Sequence, residues 1–179
     1  MRKLAIVTTI LGSLVAGSAV AALAVGATAP DFTAQASLGG KEFTFSMADA
    51  LKKGPVVLYF YPAAFTKGCT IEAHDFADAM DKFAALGATV IGVSHDNIAT
   101  LDKFSVSDCR SKFPVAADPD ETVIKEYDAV LAKAPAYADR TSYVIAPDHS
   151  ILLSYTDLNP DKHVELTMAA VRKWRDAHQ

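Results

Sequence analysis

The segment Pro55-Val56-Val57-Leu58-Tyr59-Phe60-Tyr61-Pro62-Ala63-Ala64-Phe65-Thr66-Lys67-Gly68-Cys69-Thr70 decides how the rest of the chain is read. Val56 to Tyr61 is an unbroken β-branched and aromatic run, the pattern of a central strand covered on both faces. Pro62 ends it, because proline has no N–H to give a sheet ladder. Beyond Thr70, apolar residues at Ala73, Phe76, Ala77, Met80, Phe83 and Ala84 mark one face of an amphipathic helix. Cys69 therefore falls in the first turn of that helix. Unpaired backbone N–H groups and the positive end of the helix dipole meet a side chain there, and both favour a thiolate. Thr66 sets a hydroxyl three residues earlier, able to hydrogen-bond near the sulfur.

The pattern Pro62-x-x-x-Thr66-x-x-Cys69 resembles the active-site signature of the peroxiredoxins. The wider string Tyr59-Phe60-Tyr61-Pro62, followed by Gly68-Cys69-Thr70-x-Glu72-Ala73, is similar to the bacterioferritin-comigratory-protein (PrxQ) subgroup. The resemblance runs from Gly26 to the C-terminus and takes in Ala29-Pro30-Asp31-Phe32 near its start. It implies an α/β, thioredoxin-like fold with an N-terminal hairpin addition. It also implies an antioxidant, thiol-dependent peroxidase acting on hydrogen peroxide and organic hydroperoxides.

On that resemblance Cys69 is the peroxidatic cysteine. Its thiolate attacks one peroxide oxygen, water or an alcohol leaves, and the sulfur becomes sulfenic acid. Thr66 would hydrogen-bond the thiolate and a peroxide oxygen, and Pro62 would shield the sulfur from water. Arg140, heading the string Arg140-Thr141-Ser142-Tyr143-Val144-Ile145, would stabilise the thiolate and orient peroxide. Each residue also has a plainer reading. Cys69 would be an inert buried thiol, Thr66 a helix cap, Pro62 a strand terminator, and Arg140 a surface partner of Asp139. Glu72 matches the subgroup's glutamate and equally suits a helix first turn, so it ranks second to these.

Many members of the subgroup place a resolving cysteine five residues after the peroxidatic one, a position held here by His74. Others place it in the following helix, and Cys109 falls in or just beyond that helix. Cys109 is the expected resolving cysteine, condensing with the sulfenic acid to a disulfide after local unfolding at Cys69. The alternatives are a buried structural thiol or a permanent Cys69–Cys109 bridge, and in either case an external thiol resolves a one-cysteine enzyme. The implied electron donor is a thioredoxin-like or other periplasmic thiol reductant. A thiol–disulfide oxidoreductase of the same fold would want a Cys-x-x-Cys pair, which is missing. A silent binding module would not need Pro62, Thr66, Cys69 and Arg140 together.

Composition sets the outer limits. The chain has 179 residues and a formal charge of −4, which fits one domain and argues against nucleic acid as a partner. Cys69 and Cys109 are its two cysteines, too few for a disulfide-rich scaffold or a cysteine-rich zinc module. His74, His95, His163 and His178 lack spaced companions, and no glycine-rich phosphate loop occurs, so neither a metal nor an organic cofactor is expected.

Residues 1–24 read as a signal peptide. Arg2 and Lys3 precede an apolar run, and Ala19-Val20-Ala21 and Ala22-Leu23-Ala24 both fit a cleavage site. An uncleaved anchor is the alternative. Residues 25–179 then form the domain: a periplasmic monomer without stable membrane association once cleaved.

Along that domain, strands are expected at Phe32–Leu38 and Lys41–Phe45 around Gly39-Gly40, with a Ser46-capped helix to Leu51. After the Cys69 helix, Ala88–Ser94 is a second buried strand, parallel to the first through a strand–helix–strand unit. A helix using Ile98, Leu101 and Phe104 follows, then a short strand at Phe113–Ala117 and a helix from Pro119 to about Asp128. Val130–Asp139 reads as a loop. Arg140–Ala146 and Ile151–Tyr155 pair antiparallel, and Asn159-Pro160 caps a last helix burying Val164, Met168, Val171 and Trp174. The result is a mixed central sheet with helices on both faces.

Overall fold

A computed structural model describes residues 22–178. Most of the signal-like segment lies outside these residues. Strand β3 (Val56–Phe60) is buried along its whole length and sits within a sheet of seven. Val56, Leu58 and Phe60 face one core, and Val57 and Tyr59, continued by Tyr61, face the other. That two-sided burial is what an uninterrupted apolar run requires.

Helix α2 (Lys67–Ala85) crosses over to β4 (Thr89–Ser94), which pairs parallel to β3 as expected. Gly92 interrupts the β-branched run of β4 for a steric reason: a Cβ there would lie 2.6 Å from the Tyr59 ring. Phe76 stacks on that same ring at 4.5 Å between centroids. Burying an aromatic of this size is worth about 2–3 kcal/mol, so this strand–helix seam is a main tie in the second core.

On one side of β4 come β5 (Val115–Ala117), β1 (Thr33–Leu38) and β2 (Lys41–Ser46), giving the order β2-β1-β5-β4-β3. The β1–β2 hairpin turns at Gly39-Gly40, both with positive φ (58° and 76°), the combination a two-residue turn of this hand needs. On the other side of β3 lie β6 (Thr141–Ile145) and β7 (Ile151–Thr156), both antiparallel to their neighbours. Helices α1 (Met47–Leu51) and α4 (Thr122–Glu126) cover the first core. Helices α2, α3 (Ile98–Ser107) and α5 (His163–Asp176) cover the second. The mixed sheet with helices on both faces is the expected α/β arrangement.

Three local expectations change. Helix α4 starts at Thr122 instead of Pro119, because Glu121 adopts a left-handed φ of 56° that no helix can run through. Asp118 instead accepts from the Ile124 N–H at 2.8 Å. Asn159 caps a single 3-10 turn (Pro160–Lys162), and α5 begins only at His163. In α2 the buried face takes Glu72 and Ala79, while Ala84 is exposed. At the N-terminal end of the described residues, the Leu23 N–H donates to the Tyr143 hydroxyl at 3.1 Å, and Ala22 and Leu23 pack against the first core.

Candidate active site

The turn between β3 and α2 carries the site. Its backbone is pinned from outside: Asp96 Oδ2 accepts from the Ala64 N–H and from the Ser94 hydroxyl, each at 2.8 Å. His95 Nδ1 donates to the Pro62 carbonyl at 3.0 Å. The loop Ser94-His95-Asp96-Asn97 can cap the next helix by its composition. Asn97 does that capping, through the Thr100 N–H, while the two residues before it reach back to the turn. Phe65 sits at φ 63°, a left-handed conformation that is costly for a side chain of its size, and its exposed ring packs edge-on against Phe104.

Thr66 is the N-cap of α2, but its hydroxyl does not cap the helix. It donates to the Ala63 carbonyl at 3.0 Å instead, so the expected bond to the Cys69 sulfur is not formed. The first intrahelical bond runs from the Thr70 N–H to the Thr66 carbonyl. The N–H groups of Lys67, Gly68 and Cys69 precede it and have no partner within the helix, as at any helix start. Cys69 lies among them, 1% exposed.

Arg140 comes from the head of β6 and is itself buried. Its Nη2 donates to the Cys69 Sγ at 3.4 Å, its Nη1 to Glu72 Oε2, and its Nε to the Leu158 carbonyl at 2.9 Å. The reading of Arg140 as a surface residue is thereby set aside: Asp139 accepts only its backbone N–H. Gly68 makes room, since a Cβ there would stand 3.0 Å from Nη2. Burial alone would make the guanidinium harder to charge, but Glu72 and the Cys69 sulfur outweigh it and hold it protonated. Burial pushes the Glu72 carboxyl up to about 8, against the pull of the Arg140 charge. Glu72, ranked second in the sequence, is thus in direct contact with the arginine.

Cys109 lies just past α3, fully buried in the same core as Cys69, Tyr59, Tyr61, Phe76 and Phe113. Both cysteines are free thiols. Burial, aided by the neighbouring Asp108 charge, pushes the Cys109 thiol far above its ordinary value. Next to each cysteine, the Thr70 hydroxyl donates to Asp108 Oδ1 at 2.7 Å. Pro62, Thr66, Cys69 and Arg140 therefore gather at one end of β3 and α2, and Cys109 stands behind them in the core.

A strand–turn–helix with a buried cysteine in the first helical turn and an arginine on its sulfur defines a thiol-chemistry site on a thioredoxin-like sheet. The chain belongs to the AhpC/TSA family, whose pattern it matches over residues 25–154. Within that family it is of the Bcp/PrxQ type, a peroxiredoxin, and so a thiol-dependent peroxidase. Peroxiredoxin Bcp of Xanthomonas campestris is 27% identical over 122 residues, covering 65% of this chain and 76% of its own. Chloroplastic peroxiredoxin Q of Populus jackii is 32% identical over 140 residues, covering 78% and 63%. The crystal structure of peroxidoxin BcpB from Mycobacterium tuberculosis superposes with a TM-score of 0.75 at 31% identity, over 83% of this chain and 96% of that one.

Proposed function

We propose that Cys69 is the peroxidatic nucleophile, with Arg140, Thr66 and Pro62 shaping its site, and that Cys109 resolves it. The observation that carries this is the Arg140 Nη2–Cys69 Sγ hydrogen bond of 3.4 Å at a helix start whose N–H groups no side chain caps. A guanidinium on the sulfur favours the anion over the thiol. The free N–H groups and Arg140 can then receive the charge that develops on a peroxide oxygen.

The thiolate attacks one oxygen of hydrogen peroxide or an organic hydroperoxide, and an S–O bond forms as the O–O bond breaks. The departing hydroxide or alkoxide takes up a proton and leaves as water or alcohol. Cys69 is then a sulfenic acid, two electrons more oxidised. The Cys109 thiol attacks that sulfur, a disulfide forms and water leaves. A dithiol reductant of the thioredoxin-like class returns both cysteines to thiols and is itself oxidised to a disulfide.

The basic start and apolar run of residues 1–24 support export by a cleaved signal peptide and work in a periplasm. No helix among the described residues is long and apolar enough to cross a membrane. We read the working form as a monomer.

The test is peptide-map mass spectrometry of fully reduced protein after one equivalent of hydrogen peroxide, with Cys69→Ser as control. A loss of two hydrogens with a Cys69–Cys109 cross-link is expected. An added oxygen on Cys69 with Cys109 still free would replace the two-cysteine scheme by a one-cysteine enzyme served by an outside thiol. Peroxide consumption that survives Cys69→Ser would sink the assignment of the nucleophile.

A further inference from the structure

His163 opens α5 and is wholly buried. Its Nε2 lies 2.9 Å from the Asp157 carbonyl, which can only accept, so Nε2 carries the proton. Nδ1 then presents a lone pair, and the Ser142 hydroxyl donates to it at 2.8 Å. The two contacts fix one neutral tautomer and one ring orientation.

The same Nδ1 stands 3.6 Å from Glu72 Oε1. That oxygen is buried and has no hydrogen-bond partner among the described residues, while the other carboxyl oxygen accepts from Arg140. A second path leads back to the arginine through the loop after β7. The Asp157 carbonyl that receives His163 is one peptide away from the Leu158 carbonyl that receives Arg140 Nε, and the Asp157 N–H donates to the Arg140 carbonyl at 3.1 Å. Of the three guanidinium nitrogens, Nη2 faces Cys69. The Glu72 carboxyl that serves Nη1 packs against the His163 ring, and the Leu158 carbonyl that serves Nε follows the carbonyl that His163 holds.

We propose that His163 is a positioning residue for the peroxidase reaction, holding the Glu72 carboxyl and the Asp157–Leu158 backbone so that Arg140 presents Nη2 to Cys69. This rests on Cys69 being the peroxidatic cysteine. The titratable and charged groups around the imidazole are Glu72 from α2, Arg140 at the head of β6, Tyr155 from β7, whose ring meets it edge-on at 4.8 Å, and Asp157 in the loop. Burial lowers the His163 pKa and the Arg140 charge adds to that, with Asp157 opposing. The imidazole is therefore neutral in the working range, and this ring does not titrate there.

The experiment compares His163→Phe, His163→Gln and Ser142→Ala with the wild-type chain. Two quantities are read: the single-turnover rate constant with hydrogen peroxide, and the pH midpoint of Cys69 alkylation by iodoacetamide. His163→Phe should lose about tenfold in rate and raise the midpoint by about one unit, since a less well aimed cation stabilises the thiolate less. His163→Gln, whose amide can both donate to Asp157 and accept from Ser142, should recover most of both. A folded His163→Phe with wild-type midpoint and rate overturns the proposal. If that variant does not fold, Ser142→Ala decides: an upward shift supports the proposal and an unmoved midpoint overturns it. Absence of Cys69-dependent turnover in the wild-type chain would instead remove the underlying assignment, so the two failures are distinguishable.

Discussion

The Thr70 hydroxyl donates to the Asp108 carboxylate at 2.7 Å, and so ties the residue after one cysteine to the residue before the other. The proposed resolution by Cys109 would need the first turn of α2 and the segment after α3 to come apart locally, and this bond holds them together. A hydrogen bond to a charged group is worth about 1.5–3 kcal/mol. Thr70→Val should therefore form the Cys69–Cys109 disulfide about tenfold faster after one equivalent of peroxide, with the preceding oxidation of Cys69 unchanged. Quenched-flow alkylation resolves the two steps. An unchanged or slower disulfide step would mean that opening proceeds elsewhere.

Cys109→Ala separates chemistry from recycling. The first, single-turnover reduction of peroxide should keep its rate, because the hydrogen bond to the Cys69 sulfur comes from Arg140. Steady-state turnover with a thioredoxin-type reductant should fall, and no intramolecular cross-link should form. Equal steady-state rates in the two proteins would point to an external resolving thiol.

Arg140→Lys keeps the charge but loses the planar fork that serves Glu72, Leu158 and Cys69 at once. The second-order rate constant with peroxide should drop by about 10²-fold or more, in line with the loss of a preorganised donor. Arg140→Gln should also lose stability, because it takes the donor from the buried Glu72 carboxyl, and a buried polar group left unsatisfied costs about 1–3 kcal/mol. Stopped-flow kinetics and urea denaturation read the two effects separately.

Glu72 should leave its mark on the pH dependence of folding. Its carboxyl is raised from an ordinary 4.5 to about 8, chiefly by burial. Between those values the folded chain holds a proton that the unfolded chain has released, so stability falls as pH rises through that window and levels off above it. Glu72→Gln removes that slope while keeping an oxygen for Arg140. Denaturation at pH 5, 7 and 9 should show the wild-type chain losing more stability across this range than the variant. Parallel curves would mean that Glu72 stays ionised beside the arginine.

The N-terminal boundary can be tested the same way. Cleavage after Ala21 keeps the Leu23 N–H on the Tyr143 hydroxyl and leaves Ala22 and Leu23 against the core, whereas cleavage after Ala24 removes all three contacts. A chain starting at Val25 should melt a few degrees below one starting at Ala22, as about 1 kcal/mol corresponds to about 2–4 °C for a domain of this size. Identical melting temperatures would leave the choice to N-terminal sequencing.

What the sequence reveals depends on how local the cause is. Strand β3 and helix α2 are written in their own periods, so Cys69 at the helix start was legible from its neighbours alone. Arg140 lies 71 residues away from Cys69 and was legible only through resemblance. Glu72 looked like an ordinary first-turn acid because nothing nearby in the chain says that it is buried. His163 looked partnerless because its partners, Ser142, Glu72 and the Asp157 carbonyl, come from three other segments that only the packing of α5 brings together. Helix α4 starts later than its sequence implies, because Asp118-Pro119 is a sound helix opening that the left-handed Glu121 overrides.

The burial of Cys109 has a kinetic consequence of its own. With Cys109 as the proposed resolving thiol, sealed in the core and protonated, a Cys69 sulfenic acid would wait for each opening event. During that dwell a second peroxide molecule competes for the same sulfur, and its product is a sulfinic acid that no disulfide exchange repairs. The frequency of opening thus sets a ceiling on the oxidant flux the protein survives: below it a catalyst, above it a fuse.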